Sequence, residues 1–357
     1  MSPIAPKNGL LYKNFHSHPA ALIKAASGIY LTTNDGRNIL GAISGAAVAC
    51  LRYNNNNNNN NNKEVKQAVI DRLISVPYCH PDFCKILSAD GLANFLVDST
   101  GGQMSKAVLC KSGSEAVEVA IKMAKTHFND PARTEPERSH FIPIRKEPFH
   151  SLIAQTSSRV SACSTYRGLL HSEGDDTYNT SPGSSTPSSG AEARAMFARS
   201  SPRLSAAAGC VMPIRGYFPA MKAICQRHCA LLILGEVMCG MGLTGSLHAY
   251  EQEDVVPDLL VVGKGLGAAY APILAVLVNS MLVDSFQRSG KSVAHGQTYM
   301  AHAQAAAAGL RVQQVIRERG LVAHVREVGE YLGRRPREGL LAHPYVGDVR
   351  GMEASGG

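Results

Sequence analysis

A chain of 357 residues can bury a large core and has room for two or three domains. With 18% charged and 45% hydrophobic residues it suits a globular α/β protein of enzyme size, and a net charge of +8 without a basic stripe or any tryptophan argues against nucleic acid as a partner. Nine cysteines, an odd number without a CxxC pair, point to reduced thiols and a cytoplasmic location, while the lack of a signal-peptide core or of an apolar run of ~18 residues argues against secretion and a membrane span.

In chain order, residues 28–36 read as a strand and a turn, with Asn34-Asp35-Gly36 supplying the turn chemistry. Residues 39–50 follow as a second extended segment of small residues, so the pair reads as a plain hairpin. Nine consecutive asparagines, 54–62, bury too little to offset their ordering entropy and are expected to be disordered. Residues 63–75 carry Val65, Ala68, Val69 and Leu73 at the spacing of an amphipathic helix, and residues 89–97 form a second helix. Tyr78, between them, reads on its own as a packing residue.

Residues 106–110 read as a strand. Ser112-Gly113-Ser114-Glu115 then opens a helix over 116–126. An S-x-x-E tetrapeptide is a capping box, and the same free amides at a helix start also suit a phosphate, so spacing alone leaves both readings open. Phe149-His150-Ser151 says little by itself. Residues 172–209 are rich in Ser, Gly and Pro, the composition of a flexible loop, and no buried strand is legible there.

Residues 220–229 read as a helix; Cys225, His228 and Cys229 within it lack distant partners and make a poor zinc site, so no metal is expected. Residues 230–234 and 259–262 are continuous apolar runs, which suit strands buried on both faces of a parallel sheet. Gly240, Gly242 and Gly245 punctuate the loop between them. The second run ends in Gly263-Lys264-Gly265. Ligands of open α/β sheets sit beyond the carboxyl ends of the strands, and a lysine amine there can form a Schiff base with a carbonyl. Taken alone, such a lysine also reads as a surface loop residue. Residues 272–278 form a further strand, His295-Gly296-Gln297-Thr298-Tyr299 a loop, and 301–318 and 322–332 two helices. The basic cluster Arg334-Arg335-Pro336-Arg337 reads as a helix C-terminus.

Several of these segments, in this order, resemble the class III aminotransferases, pyridoxal-phosphate enzymes of fold type I. The family pattern is a strand ending in Asp-Glu-Val, a Gly-rich loop, Pro-Asp, a strand and Gly-Lys-Gly. It stands here as Gly235-Glu236-Val237, Gly240 to Gly245, Pro257-Asp258 and Gly263-Lys264-Gly265. The resemblance implies that Lys264 is the catalytic Schiff-base lysine, and that Gly113 and Ser114 of the matching Ser-Gly-Ser-Glu-Ala hold the cofactor phosphate. It further implies that Phe149, beside His150, stacks on the pyridine ring and that Val237 packs beneath it. Thr298 of the His-Gly-Gln-Thr-Tyr segment is expected to reach the phosphate of a second subunit, which implies a homodimer. The family's Asp, which pairs with the ring nitrogen, is replaced by Gly235. Ser44-Gly45 matches a step near the substrate, and the resemblance implies that Tyr78 faces the site.

The expected fold is α/β, fold-type I, with a mostly parallel sheet flanked by helices and a small α+β domain. Residues 1–53 would form the N-terminal part of the small domain, 54–62 the Asn tract, and 63–310 the large cofactor-binding domain, irregular at 172–209. Residues 311–357 would begin a C-terminal small domain that this chain does not complete. The implied activity is transfer of an amino group from an amino donor to a keto acid or aldehyde, with pyridoxal 5'-phosphate as cofactor. Two other readings stay open: a homologue that serves only as a fold or dimer partner, and a pyridoxal-phosphate enzyme of another type, such as a decarboxylase or racemase.

Overall fold

The continuous apolar runs become strands of one sheet. The computed structural model describes residues 21–42, 44–53, 62–129, 140–143, 193–198, 216–293, 295–347, 349 and 351. The chain divides into two units, Met1–Gly45 with Arg52–Asn61, and Ala46–Leu51 with Asn62–Gly357.

In the first unit, β1 (Ile23–Ser27), β2 (Tyr30–Thr33) and β3 (Asn38–Leu40) form an antiparallel meander. The β2–β3 turn is the expected Asn34-Asp35-Gly36, closed by the Arg37 amide donating to Thr33 Oγ1 at 3.0 Å. Residues 39–50 are not one extended segment. The strand ends at Leu40, and a short turn of helix, α1 (Ser44–Ala47), follows. Gly and Ala have no β-branch to favour the pleated conformation, so nothing local holds this stretch extended.

In the second unit a six-stranded sheet has β4 (Lys106–Cys110) at one edge. Next come β9 (Leu274–Val278), β8 (Leu259–Val262), β7 (Leu231–Glu236), β6 (Ala193–Ala198) and β5 (His140–Pro143). β5 to β8 pair in parallel, and β9 runs antiparallel to both β4 and β8. Every residue of β7, β8 and β9 is buried. Leu232, Leu234, Leu260, Val262, Ala275 and Leu277 point into one core, and Ile233, Leu259, Val261, Val276 and Val278 into the other. The period-2 alternation feeds two apolar layers, so neither face can be polar.

The first layer is completed by α3 (Leu87–Asp98), α5 (Tyr217–Arg227) and α7 (Ala303–Glu318), through Leu92, Leu96, Phe218, Met221 and Ala306. The second is completed by α4 (Gly113–Phe128) and α6 (Ser280–Ser289), through Ala116, Val119, Ala120, Met123 and Leu282. Truncating any of the fully buried leucines to Ala costs about 2–5 kcal/mol.

Three sequence expectations are corrected. A strand does exist within 172–209: β6 pairs with β7 from Ala195↔Leu231 to Ala198↔Leu234, and with β5 on its other side. Its sequence, ARAMFA, is poor in β-branched residues, and the pairing on both edges defines it as a strand where propensity does not. The last residue of the Asn tract is ordered. Asn62 precedes α2 (Lys63–Ser75) in the left-handed region that Asn tolerates, and it is buried. Its amide donates to Leu51 O and Tyr270 Oη, both at 3.0 Å, and its Oδ1 accepts from Arg319 at 3.1 Å. The remaining asparagines of the tract, 54–61, lie outside the described residues. Finally, α8 (Leu321–Leu340) extends beyond the expected 322–332 and runs through Pro336, so the basic cluster does lie at its C-terminal end. Glu338 lies 3.8 Å from Arg334 and 3.7 Å from Arg335, so the cluster is paired across the last turns of the helix.

Among the described residues, no helix is long and apolar enough to cross a membrane.

Candidate active site

Buried β8 delivers Lys264 to the carboxyl edge of the sheet. Gly263 is extended there, and a Cβ on it would lie 2.6 Å from Leu274 Cδ2 and 3.3 Å from Val237 Cγ1, so only glycine fits. Lys264 itself has φ 47°, in the left-handed region that a long side chain seldom adopts. Such strain, of order 1–3 kcal/mol, persists where the surroundings over-determine the backbone. Here Lys264 opens a tight turn, Lys264–Leu266, whose Gly265 and Leu266 carbonyls accept from buried Gln313 Nε2 at 3.0 and 3.1 Å. Gln313, on α7, thus fixes the turn from behind. Lys264 is half-buried, and its Nζ donates to Ala46 O at 2.6 Å.

β7, the parallel neighbour, ends at the same edge: Gly235 pairs with Val261 and Glu236 with Val262. Glu236 is fully buried, and its two carboxylate oxygens accept from the amides of Ala249 and Tyr250, each at 2.7 Å. It anchors the start of the turn Ala249–Gln252, and its oxygens are committed there. Val237, half-buried, lies against Gly263.

The start of α4 forms the third wall. Ser112 is the N-cap, its hydroxyl accepting from the Glu115 amide at 3.2 Å, while Glu115 accepts from the Lys111 amide at 3.0 Å. The Ala116 amide bonds Ser112 O. The amides of Gly113 and Ser114 remain without an intrahelical acceptor, at the positive end of a 16-residue helix. A cap and an anion site therefore coexist in one tetrapeptide. Behind them Cys110 is inert: burial, then the Glu115 charge, pushes its thiol up to about 12.

The loop 295–299 packs on this helix start. Gln297 donates to Glu115, His295 Nε2 lies 3.7 Å from Glu115 Oε1, and Lys111 Nζ sits 5.1 Å from the Tyr299 ring centre. Both His295 ring nitrogens are buried without a hydrogen-bond partner among the described residues. Burial, then the Lys111 charge, lowers the pKa of nearby His302. Thr298 is exposed.

Leu274, first residue of β9, ties the walls together. Its Cδ2 lies 3.9 Å from where a Cβ on Gly113 would be, as well as against Gly263. The structure thus places Gly113, Val237 and Lys264 around one edge. Ser114 follows Gly113 at the helix start, and Thr298 follows Gln297 in the loop packed on that start. Phe149 and His150 lie outside the described residues. Sequence reading missed Glu236 as an anchor, Gln313 as the support of the lysine turn, and the Glu115–Gln297 contact, although both of the last two residues stand inside recognised motifs.

An amine on a strained turn and free amides at a helix start are the donor set for a ligand with a carbonyl at one end and an anion at the other. Pyridoxal phosphate has both groups. Gly235 offers no side chain to its ring nitrogen.

The family model for class-III aminotransferases matches residues 11–184 and 201–356. An aminotransferase of Gibberella zeae is 36% identical over 96% of this chain and 70% of its own length. An uncharacterized aminotransferase of Schizosaccharomyces pombe is 33% identical over 97% of this chain and 78% of its own. Among solved structures, an amine transaminase from an uncultivated Pseudomonas species in its pyridoxal-phosphate-bound form superposes with a TM-score of 0.84. It covers 98% of this chain and 83% of that one at 24% identity. A transaminase solved with L-alanine gives 0.78 at 26% identity, over 93% and 82%. The fold and site define a pyridoxal-phosphate-dependent enzyme of fold type I. The chain belongs to the class III aminotransferases.

Proposed function

We propose that this aminotransferase moves an amino group from an amino donor to a keto acid or aldehyde with Lys264 as its catalytic residue. The observation that supports this most is the placement of Lys264 on a strained turn at the sheet edge, where Leu274 reaches both the neighbouring Gly263 and Gly113 at the start of α4. When bound, pyridoxal phosphate supplies the electron sink for a substrate carbanion. Lys264 Nζ would hold the cofactor through its carbonyl and would carry the proton that amino transfer moves. The Gly113 and Ser114 amides would hold the phosphate, Val237 would pack beneath the ring, and Phe149, beside His150, would stack on it. Gln313 keeps the lysine turn in place.

The reading extends to a homodimer in which Thr298 serves the neighbouring subunit; its exposure on a loop beside α4 is consistent with that. It also extends to a cytoplasmic location, supported by cysteines that are all free among the described residues. The division into 1–53, 63–310 and 311–357 is kept, supported in part by the unit boundary near residue 45.

Borohydride reduction of the cofactor-loaded protein, followed by peptide mapping, tests the central assignment. The label is expected on Lys264 alone, and Lys264→Ala should carry none. A label on another lysine, or none on wild type, overturns it. A second reading, a family member that binds cofactor but turns over little, is favoured by one observation: Gly235 carries no carboxylate, and that of Glu236 is already taken.

A further inference from the structure

The connection between α2 and α3 carries two cysteines that amino transfer does not use. Its sequence, Pro77-Tyr78-Cys79-His80-Pro81-Asp82-Phe83-Cys84, folds into a closed turn. The amides of Phe83 and Cys84 both donate to His80 O, at 3.1 and 3.0 Å. The Asp82 amide meets His80 Nδ1 at 3.3 Å, and the Phe83 and His80 rings pack with centres 5.2 Å apart. Cys79 Sγ lies 3.9 Å from the same His80 carbonyl, so that one oxygen gathers both cysteines. The Cys84 side chain, followed by burial, raises the pKa of Cys79. Cys79 is half-buried against the core below α3, whereas Cys84 is exposed.

We propose that Cys79 and Cys84 are a reversible dithiol–disulfide pair, a modification site whose oxidant is a small-molecule disulfide. Exposed Cys84 loses its proton, and its thiolate attacks one sulfur of the oxidant; an S–S bond forms to Cys84 and the first small thiolate leaves. Cys79 then loses its proton and attacks the Cys84 sulfur, which releases the second thiolate and closes the protein disulfide. Two protein thiols are oxidised, one small disulfide is reduced to two thiols, and excess small thiol runs the sequence backwards. One closed turn carries both cysteines around the His80 carbonyl, so the second step is intramolecular and outruns further reaction with solvent thiols. Ring closure acts directly beside Tyr78, whose ring meets Tyr299 edge-on at 6.1 Å, next to Thr298 and Gln297.

The test uses the full-length, cofactor-loaded protein equilibrated with rising ratios of glutathione disulfide to glutathione. Remaining thiols are alkylated, and the tryptic peptide between Arg72 and Lys85, which carries both sulfurs, is weighed. The expected product is that peptide short of two hydrogens and unalkylated, restored by excess glutathione. In Cys79→Ser, the glutathione adduct on Cys84 should persist about tenfold longer than in wild type or more. Alkylation of both cysteines across the whole range overturns the proposal. So does a glutathione adduct on wild-type Cys84 as long-lived as that of the variant.

Discussion

Gly235 stands one residue before the end of β7, where the family pattern places a carboxylate, and the structure shows why its neighbour does not compensate. Glu236 spends both oxygens on the amides of Ala249 and Tyr250. A charge-assisted hydrogen bond to the ring nitrogen is worth roughly 1.5–3 kcal/mol, or about 10- to 100-fold in rate. Gly235→Asp should therefore raise single-turnover amino transfer by about that factor; an unchanged rate would show that the ring nitrogen is not what limits turnover. His248 gives a second residue-level expectation. Burial lowers its pKa from the ordinary 6.5 to about 4, with Nε2 2.8 Å from Ser99 Oγ and Nδ1 lacking a hydrogen-bond partner among the described residues. The folded state holds this ring neutral, while the unfolded chain protonates it below 6.5. Its contribution to stability is therefore complete above pH 6.5 and is lost as pH falls towards 4, by about 3 kcal/mol over the interval. Urea unfolding at pH 7 and 4.5 should show wild type losing about 2–3 kcal/mol more than His248→Gln; parallel losses would refute this.

Among the elements, the contact of β9 with β8 sets the lysine. A methyl on Gly263 collides with Leu274, the residue that also reaches Gly113. Gly263→Ala should cost about 1–3 kcal/mol by overpacking and displace Lys264. Leu274→Ala should cost about 2–5 kcal/mol by leaving a cavity. Combined, they should cost clearly less than their sum, as denaturation midpoints will show; strict additivity would mean the two do not touch in solution. The same elements show what the sequence could reveal. β7, β8 and β9 were legible because burial on both faces forces an unbroken apolar run, and α4 because its cap is written in four residues. β6 was hidden, since its identity comes from strands on either side and not from its own composition. α6 was overlooked, although Asn279 as N-cap and left-handed Gly290 as C-cap mark both ends. Asn62 was lost in a run of identical residues because only tertiary partners single it out. The site motifs were legible one by one, but not the convergence of Gly113 and Gly263 on Leu274, which strand order alone creates.

At the level of the whole molecule, the proposal that Thr298 serves the neighbouring subunit predicts that cofactor retention requires association. Sedimentation followed at the visible absorbance of bound cofactor should show signal only in the dimer boundary; a loaded monomer would count against shared sites.

The antiparallel strand between β4 and β8 has a consequence for how the protein is made. β7 meets β8 within 30 residues or so of chain, whereas β4 must wait for β9, roughly 160 residues further on, a closure that costs about 1.6 kcal/mol more in chain entropy. At ribosomal speeds of about 5–20 residues per second, β4 waits on the order of ten to thirty seconds before β9, the strand it pairs with among the described residues, is synthesised. The start of α4 and the lysine are thus joined late in assembly. A ligand that needs both ends engages only chains whose sheet has closed, and so it stabilises the finished protein and not the nascent one.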